Sequence, residues 1–510
     1  MAKLEPVEFG SQGSRRVRPV SPISGDALAE VDVQGPTQVA ACVDRARRAQ
    51  AEWGALPVES RARVLARANL ALLDLQEEFA EVIRRETGKP LLEALAMEIV
   101  PSLDLLRYWA RRAPRVLADE SLPLHLLKTK KLRVSYRPRG VVGVISPWNF
   151  PFLLSLISTT QALVAGNAVV LKPSEWTTQS GLLVSELFQA ADLPEGLLQF
   201  VTGDGETGAA LVEAGVDLMC FTGSVATGRR VAEACGRQLI PAILELGGND
   251  PMIVCADADL ERAAAGAVYG AFANSGQVCL SSERVYVIDE VADAFTRKVL
   301  ERVAELRQGE NGEVDVGPLT LERQRAVVER HIEDAVSKGA RVLAGGRRNP
   351  NCGELFFEPT VLSDVHHGMS VMSEETFGPV LPIMRVRDED EALRLANDSD
   401  LGLSASVWTR DKQKGVELAK RLRCGSAVIN DCFVNFAMPE APFGGRLDSG
   451  LGVISGEVGL RGFCHPQSIA IDRFGWKREF FWFPYTARKM RALKRATRLI
   501  WGTPIRRLFS

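Results

Sequence analysis

Apolar positions in the first quarter of the chain recur at the three-and-four spacing of amphipathic helices. Val39, Cys42, Val43 and Ala46 open the series, and similar runs continue through Leu106, predicting helices over residues 36–118. The texture then changes. Leu126 to Tyr136 is basic and partly alternating, which predicts an exposed strand or hairpin. From residue 140 short unbroken apolar runs take over: Val141–Ile145, Ala168–Leu171, Leu198–Val201 and Leu218–Phe221, spaced by helix-length intervals. Strands buried on both faces read this way, and their alternation with helices predicts a doubly wound parallel sheet. A second series follows residue 284, with Val285–Ile288, Val342–Ala344, Leu381–Val386, Ser404–Trp408 and Ala427–Ile429, and Ser468–Asp472 adds a last short strand. At 510 residues the chain exceeds what one core serves, so two α/β domains joined near residues 246–275 are expected.

Charge changes this picture only at the C-terminus. The formal net charge is -2, which argues against a nucleic-acid binder. From Gly475 to Ser510, however, ten Lys/Arg face the single Glu479. Within that tail Met490, Leu493, Thr497, Ile500 and Trp501 share one helical face, with Arg488, Lys489, Arg491, Lys494, Arg495 and Arg498 largely elsewhere. Upstream runs the aromatic stretch Phe480–Tyr485. Two readings stand: contact with an anionic membrane surface, or packing on its own or a partner subunit to cap an active-site mouth. No apolar run in Met1–Arg18 resembles a signal-peptide core, and no stretch is apolar enough to span a membrane. Nine cysteines scattered singly read as reduced thiols of a cytoplasmic protein, and no metal site is expected.

Ligands of open α/β sheets bind at the carboxyl ends of strands. Val141–Ile145 ends in Ser146-Pro147-Trp148-Asn149-Phe150-Pro151, Ala168–Leu171 in Lys172-Pro173-Ser174-Glu175, and Leu218–Phe221 in Thr222-Gly223-Ser224. Together these ends offer a hydroxyl and free helix N–H groups for phosphate, with an acid and a base for ribose hydroxyls. Gly203-Asp204-Gly205-Glu206-Thr207-Gly208 also matches the glycine fingerprint of dinucleotide binding. It lacks an acid at the end of a following strand, so it reads as a tight turn reaching at most the adenosine. Between the two series, Leu244-Glu245-Leu246-Gly247-Gly248 sets a carboxylate beside two glycines. Phe272-Ala273-Asn274-Ser275-Gly276-Gln277-Val278-Cys279 sets a thiol after a turn of small residues. Spacing alone does not pair them.

With Glu375-Thr376-Phe377-Gly378-Pro379 and Pro442-Phe443-Gly444-Gly445, these segments resemble, in order, the motifs of the aldehyde dehydrogenase superfamily, over roughly residues 20–472. Leu132–Glu310 is most similar to a bacterial branch of succinic-semialdehyde and apolar-dialdehyde dehydrogenases. The resemblance implies an α/β fold of two doubly wound, Rossmann-like domains plus a small β oligomerisation arm. It implies a NAD-binding domain (1–119 and 142–246), a catalytic domain (247–448), an arm (120–141 and 463–474) and a basic tail (475–510). It makes Cys279 the nucleophile, Glu245 the general base, and Asn149 an oxyanion-hole donor beside the Cys279 N–H. Lys172 and Glu175 would meet the adenine ribose, Trp148 and Ser224 the pyrophosphate, and Glu375 and Phe377 the nicotinamide ribose and ring. Glu175, beside the ribose 2′-position, favours NAD over NADP. Glu245 favours release of a free acid over transfer to CoA. Asn249, Leu447 and Val453 stand where the family commonly has basic residues.

The implied aldehyde pocket is lined by Phe150, Leu154, Ile157, Val278, Leu280, Ala437 and Phe443, all apolar. An apolar aliphatic or aromatic aldehyde is therefore expected, with succinic semialdehyde the runner-up. Relatives pair through such an arm into homodimers or homotetramers. Three rivals remain: a cofactor-free thiol hydrolase, a CoA-acylating dehydrogenase and a non-catalytic scaffold.

Overall fold

The computed structural model describes residues 15–310 and 312–502. Residues 1–14 and 503–510, which hold most of the stretch searched for a signal peptide and the end of the basic tail, lie outside the described residues. The chain divides into two compact units, Met1–Val116 with Pro138–Phe463, and Leu117–Arg137 with Cys464–Ser510.

In the larger unit, the helical periodicity of the first quarter becomes the helices Pro36–Ala55, Val58–Thr87 and Val100–Val116. Two buried glutamates from this layer reach the N-termini of later helices, where unpaired N–H groups and the helix dipole favour an anion. Glu86 accepts from the N–H groups of Gln179 and Ser180 at 3.0 and 2.7 Å. Glu98 accepts from those of Phe152 and Leu153 at 2.9 and 3.1 Å.

The first parallel series forms a sheet ordered Gly450–Leu451, Ala242–Glu245, Leu218–Thr222, Val141–Ile145, Ala168–Lys172, Leu198–Phe200. Its strand order reverses between Val141–Ile145 and Leu218–Thr222, which pair in parallel. A crevice opens at such a switch point because the helices that follow the two strands lie on opposite faces of the sheet. The turns after Ile145 and Thr222 both lie there. The second sheet runs Arg341–Ala344, Thr360–Ser363, Val380–Val386, Ser282–Ile288, Asp250–Val254, Ser406–Trp408, Val428–Ile429, and is parallel except for its first pair.

Three features depart from the sequence reading. Asp250–Val254, inside the expected junction, is a fully buried central strand of the second sheet; after Pro251 its apolar run is too short to stand out locally. Thr360–Ser363 was likewise hidden by its polar ends. Gly450–Leu451 lies beyond the expected catalytic domain yet pairs antiparallel with the strand of the first sheet that ends in Glu245. Such a pairing, some 200 residues apart in the chain, leaves no local signature.

The smaller unit holds a three-stranded sheet with Lys130–Pro138 between Glu120–Leu122 and Cys464–Asp472. It also carries the helix Ala487–Gly502, in which no residue is buried. No helix among the described residues is long and apolar enough to cross a membrane.

Candidate active site

The carboxyl end of the first sheet opens into a cavity of about 680 Å³ lined by Trp148, Lys172, Glu175, Ser224 and Arg323, among others. Lys172 is buried; desolvation lowers its pKa and the Glu175 carboxylate, 3.6 Å away, opposes that shift. Ser224 caps the helix Val225–Arg237, its Oγ accepting from the N–H of Thr227 at 3.4 Å. The other glycine-rich turn differs. Its helix, Gly205–Glu213, is capped by the Asp204 carboxylate, which takes the N–H of Glu206. The Asp204 carboxylate, itself paired with Arg15, already occupies that N-terminus and takes a free N–H there, which leaves less for a pyrophosphate; Asp204, Gly205, Glu206 and Gly208 line the same cavity.

A second cavity of about 350 Å³ shares Trp148, Gly223, Ser224 and Arg323 with the first and continues to Asn149, Glu245, Cys279, Glu375 and Phe377. Every site residue named from the sequence thus lines one or both of two contiguous cavities. Glu245 ends the strand Ala242–Glu245 opposite Thr222, and both of its carboxylate oxygens are buried without a partner. That burial holds its carboxyl well above the usual carboxylate range. The glycines after it have a packing reason: a Cβ on Gly248 would lie 2.3 Å from the Cys279 carbonyl oxygen, so only glycine lets the two segments meet. The N–H of Gly248 donates to Glu375 at 3.1 Å; burial raises the Glu375 pKa to about 7.

Cys279 follows a turn in which Asn274 and Ser275 are left-handed, at φ 50° and 57°. Such backbone is costly for residues with a Cβ and persists only where surroundings over-determine it. Here the N–H of Asn274 donates to Glu93, its side chain donates to the Asn149 carbonyl, and Gln277 Oε1 accepts from the N–H of Thr320. Asn149 Nδ2 donates to the Gln277 carbonyl at 3.0 Å, placing that amide beside the Cys279 segment. Burial first, then the carboxylates of Glu375, Asp250 and Glu245, push the Cys279 thiol up. Phe377, also left-handed at φ 50°, is held by Glu283, which accepts from the N–H groups of Thr376 and Phe377; its ring stands edge-to-face with Trp148 at 5.5 Å. Asn249 ties the glycine turn to this loop by donating to the Glu374 carbonyl at 2.9 Å.

Sequence reasoning missed a support beneath Asn149. Lys89, fully buried, pairs with Glu98 at 2.6 Å and donates to the Asn149 carbonyl at 2.8 Å. The setting of Lys89 between Gly88 and Pro90, directly after a helix, was the only hint. Breaking a buried ion pair from one side strands the other charge, so Lys89→Met is expected to cost on the order of 3 kcal/mol or more. A urea-unfolding midpoint equal to the wild type's would refute that. Arg323 was missed too: it lies over the Trp176 ring on the helix Glu322–Ser337, remote in sequence from every motif.

On its other side Cys279 lines a third cavity, about 250 Å³, with Met97, Phe150, Leu154, Tyr269 and Phe436 among its walls. Leu154, Val278, Leu280 and Ala437 line it as expected. Ile157 and Phe443 do not. Ile157 is buried one turn deeper in the helix Pro151–Val164, and Phe443 is buried behind Phe436, edge-to-face at 4.9 Å. Among the described residues Asp431 is the one charged member of the lining, and Arg262 pairs with it at 3.6 Å.

Comparison with known proteins agrees with this geometry. The description "Aldehyde dehydrogenase family" matches residues 9–469. The chain is 46% identical over 470 residues to a 4,4'-diapolycopene aldehyde oxidase of Methylomonas sp, covering 92% of this chain and 88% of that one. It is 40% identical over 453 residues to a Mycobacterium ulcerans protein named for NADP-dependent succinate-semialdehyde dehydrogenase, covering 88% and 87%. A crystal structure of a Mycobacterium tuberculosis aldehyde dehydrogenase complexed with NAD+ superposes with a TM-score of 0.86 at 33% identity, covering 92% and 97%. This chain belongs to the aldehyde dehydrogenase family, whose members oxidise aldehydes.

Proposed function

We propose that the protein oxidises an apolar aliphatic or aromatic aldehyde to its carboxylic acid, with NAD as the favoured oxidant and Cys279 as the nucleophile. The observation that carries this reading is the position of Cys279, which lines both the polar cavity shared with Glu245 and Asn149 and the apolar cavity opposite. The residues present fit a dinucleotide. A helix N-terminus at Ser224 suits phosphate, Lys172 with Glu175 suits one ribose, and the buried Glu375 suits the other.

The Cys279 thiol gives up its proton to water, and attack by Sγ forms a C–S bond, breaks the carbonyl π bond and moves charge onto the carbonyl oxygen, where Asn149 Nδ2 and the Cys279 N–H donate. A nicotinamide held beside Glu375 and Phe377 would supply the acceptor for the hydride lost from the substrate carbon, which would leave a thioester on Cys279. Glu245 then takes a proton from water as the water attacks that thioester. The C–S bond breaks, the acid departs and the thiolate is restored. The two partnerless oxygens of Glu245 support this role, since among the described residues nothing competes with water for them.

Glu175 accepts a hydrogen bond from a ribose 2′-hydroxyl but repels a 2′-phosphate. NADP remains the second reading, because the cations Lys172, Arg230 and Arg323 line the same cavity. Glu175→Ser is therefore expected to raise kcat/KM with NADP about tenfold or more and to lower it with NAD, a charge–charge contact in a partly buried site carrying more than 1.4 kcal/mol. A coenzyme ratio unmoved by the substitution would discard Glu175 as the discriminator.

For the aldehyde, no Lys or Arg among the described residues lines the cavity, and its acid, Asp431, is paired with Arg262 at 3.6 Å, so the lining offers no free cation to a distal carboxylate. Absorbance at 340 nm across medium-chain, long-chain and aromatic aldehydes and succinic semialdehyde tests this, and a preference for succinic semialdehyde would overturn it. The first sheet serves as the cofactor domain and the second as the catalytic one. The smaller unit's sheet serves as the arm of a homodimer or homotetramer, checked by light scattering.

A further inference from the structure

We propose that the segment from Arg473 to Gly502 docks on an anionic lipid bilayer, lying at its surface without crossing it. Two neighbouring features of the smaller unit carry this inference. The first is aromatic: Phe474, Trp476, Phe481, Trp482, Phe483 and Tyr485 are each more than half exposed. Six such rings on one short stretch are far more than the scattered apolar exposure an ordinary surface carries. The second is the helix Ala487–Gly502. At 3.6 residues per turn, Met490, Leu493, Ile500 and Trp501 fall on one side, within about a third of the circumference. Arg488, Arg491, Lys494, Arg495 and Arg498 fill the adjoining arc. Lys489 Nζ donates to the Trp482 carbonyl at 2.6 Å, which ties the start of the helix to the aromatic stretch.

Charge complementarity names the occupant. From Gly475 onward the sequence carries net +9, and its one acid, Glu479, is spent internally on Lys130. The surface thus presents cations beside apolar rings, the combination that seats a helix at the headgroup level of an anionic leaflet. The charged and apolar arcs adjoin along the whole helix, so a bilayer surface meets both at once, headgroups on one arc and acyl chains on the other. The proposal stands independently of the aldehyde assigned above, since it invokes no residue of either cavity.

The test is co-sedimentation of the full chain with phosphatidylcholine vesicles, with and without phosphatidylglycerol. The wild type is expected to pellet with the mixed vesicles only, and to be released by high salt. Lys494→Glu/Arg495→Glu/Arg498→Glu and, separately, Trp482→Ser/Phe483→Ser/Trp501→Ser are each expected to weaken binding about tenfold or more, with aldehyde turnover in vesicle-free buffer unchanged. Three outcomes overturn the proposal: no binding by the wild type, equal binding to both vesicle types, or variants that bind as the wild type does. Should the variants instead dissociate an oligomer while the wild type ignores vesicles, the tail is a contact between subunits and the proposal fails.

Discussion

Cys279→Ala is expected to lower kcat/KM for every aldehyde by about four orders of magnitude or more, while NAD binding persists. The size follows from the role: with the sulfur gone, no covalent adduct forms, and what remains is whatever the oxyanion donors and substrate placement provide alone. Retained coenzyme binding follows from position, because the residues of the larger cavity, from Lys172 and Glu175 to Ser224, exclude Cys279. Of the other eight cysteines, only Cys352 and Cys424 are not buried; Cys432 lines only the apolar cavity, and Cys279 is the cysteine that lines both it and the polar one. NADH formation surviving in the variant would therefore remove the central assignment. A cofactor-free thiol hydrolase predicts the converse, an enzyme that neither binds NAD nor reduces it.

Glu245→Gln separates the two halves of the reaction. Acylation needs no base at that position, so the variant is expected to release a burst of about one NADH per subunit. Steady turnover should then run at 10²- to 10⁴-fold below wild type, roughly the contribution of general-base catalysis. The pH dependence has a fixed sign. Burial favours the neutral carboxyl and raises its pKa well above the ordinary range, so the base form is scarce at low pH and grows as pH rises through that value. Wild-type deacylation should accordingly increase with pH, and the variant should lose that limb. A full-rate steady state in the variant would assign the water's proton to another group. Loss of the burst itself would place Glu245 in acylation instead.

Much of the site was legible from residues alone because each motif carries a local constraint. The glycine pair after Glu245 follows from backbone meeting backbone, as the 2.3 Å clearance at Gly248 shows. Small residues before Cys279 accompany a turn left-handed at Asn274 and Ser275. Lys89 and Glu98 escaped notice because a buried ion pair leaves no pattern: each charge, read alone, suits a solvated surface. Arg323, Tyr269 and Asp431 escaped because their approach to the site is purely tertiary.

The sequence by itself determined the alternation of helices and buried strands and the family, and it singled out the residues proposed to bear chemistry, since these rest on spacing and residue type within short windows. The tertiary structure added that the Asp204 carboxylate caps the helix after one glycine-rich turn and the Ser224 hydroxyl the helix after the other. It also decided that Glu245 is buried without a hydrogen-bond partner among the described residues, that Cys279 lines both a polar cavity and an apolar one, and that the described lining of the apolar cavity holds Asp431, paired with Arg262, and no Lys or Arg. The reason is common to all of these. Burial, desolvation and cavity shape arise from residues hundreds of positions apart, such as Gly450 laid against Glu245, and the chain must fold before any of them exists.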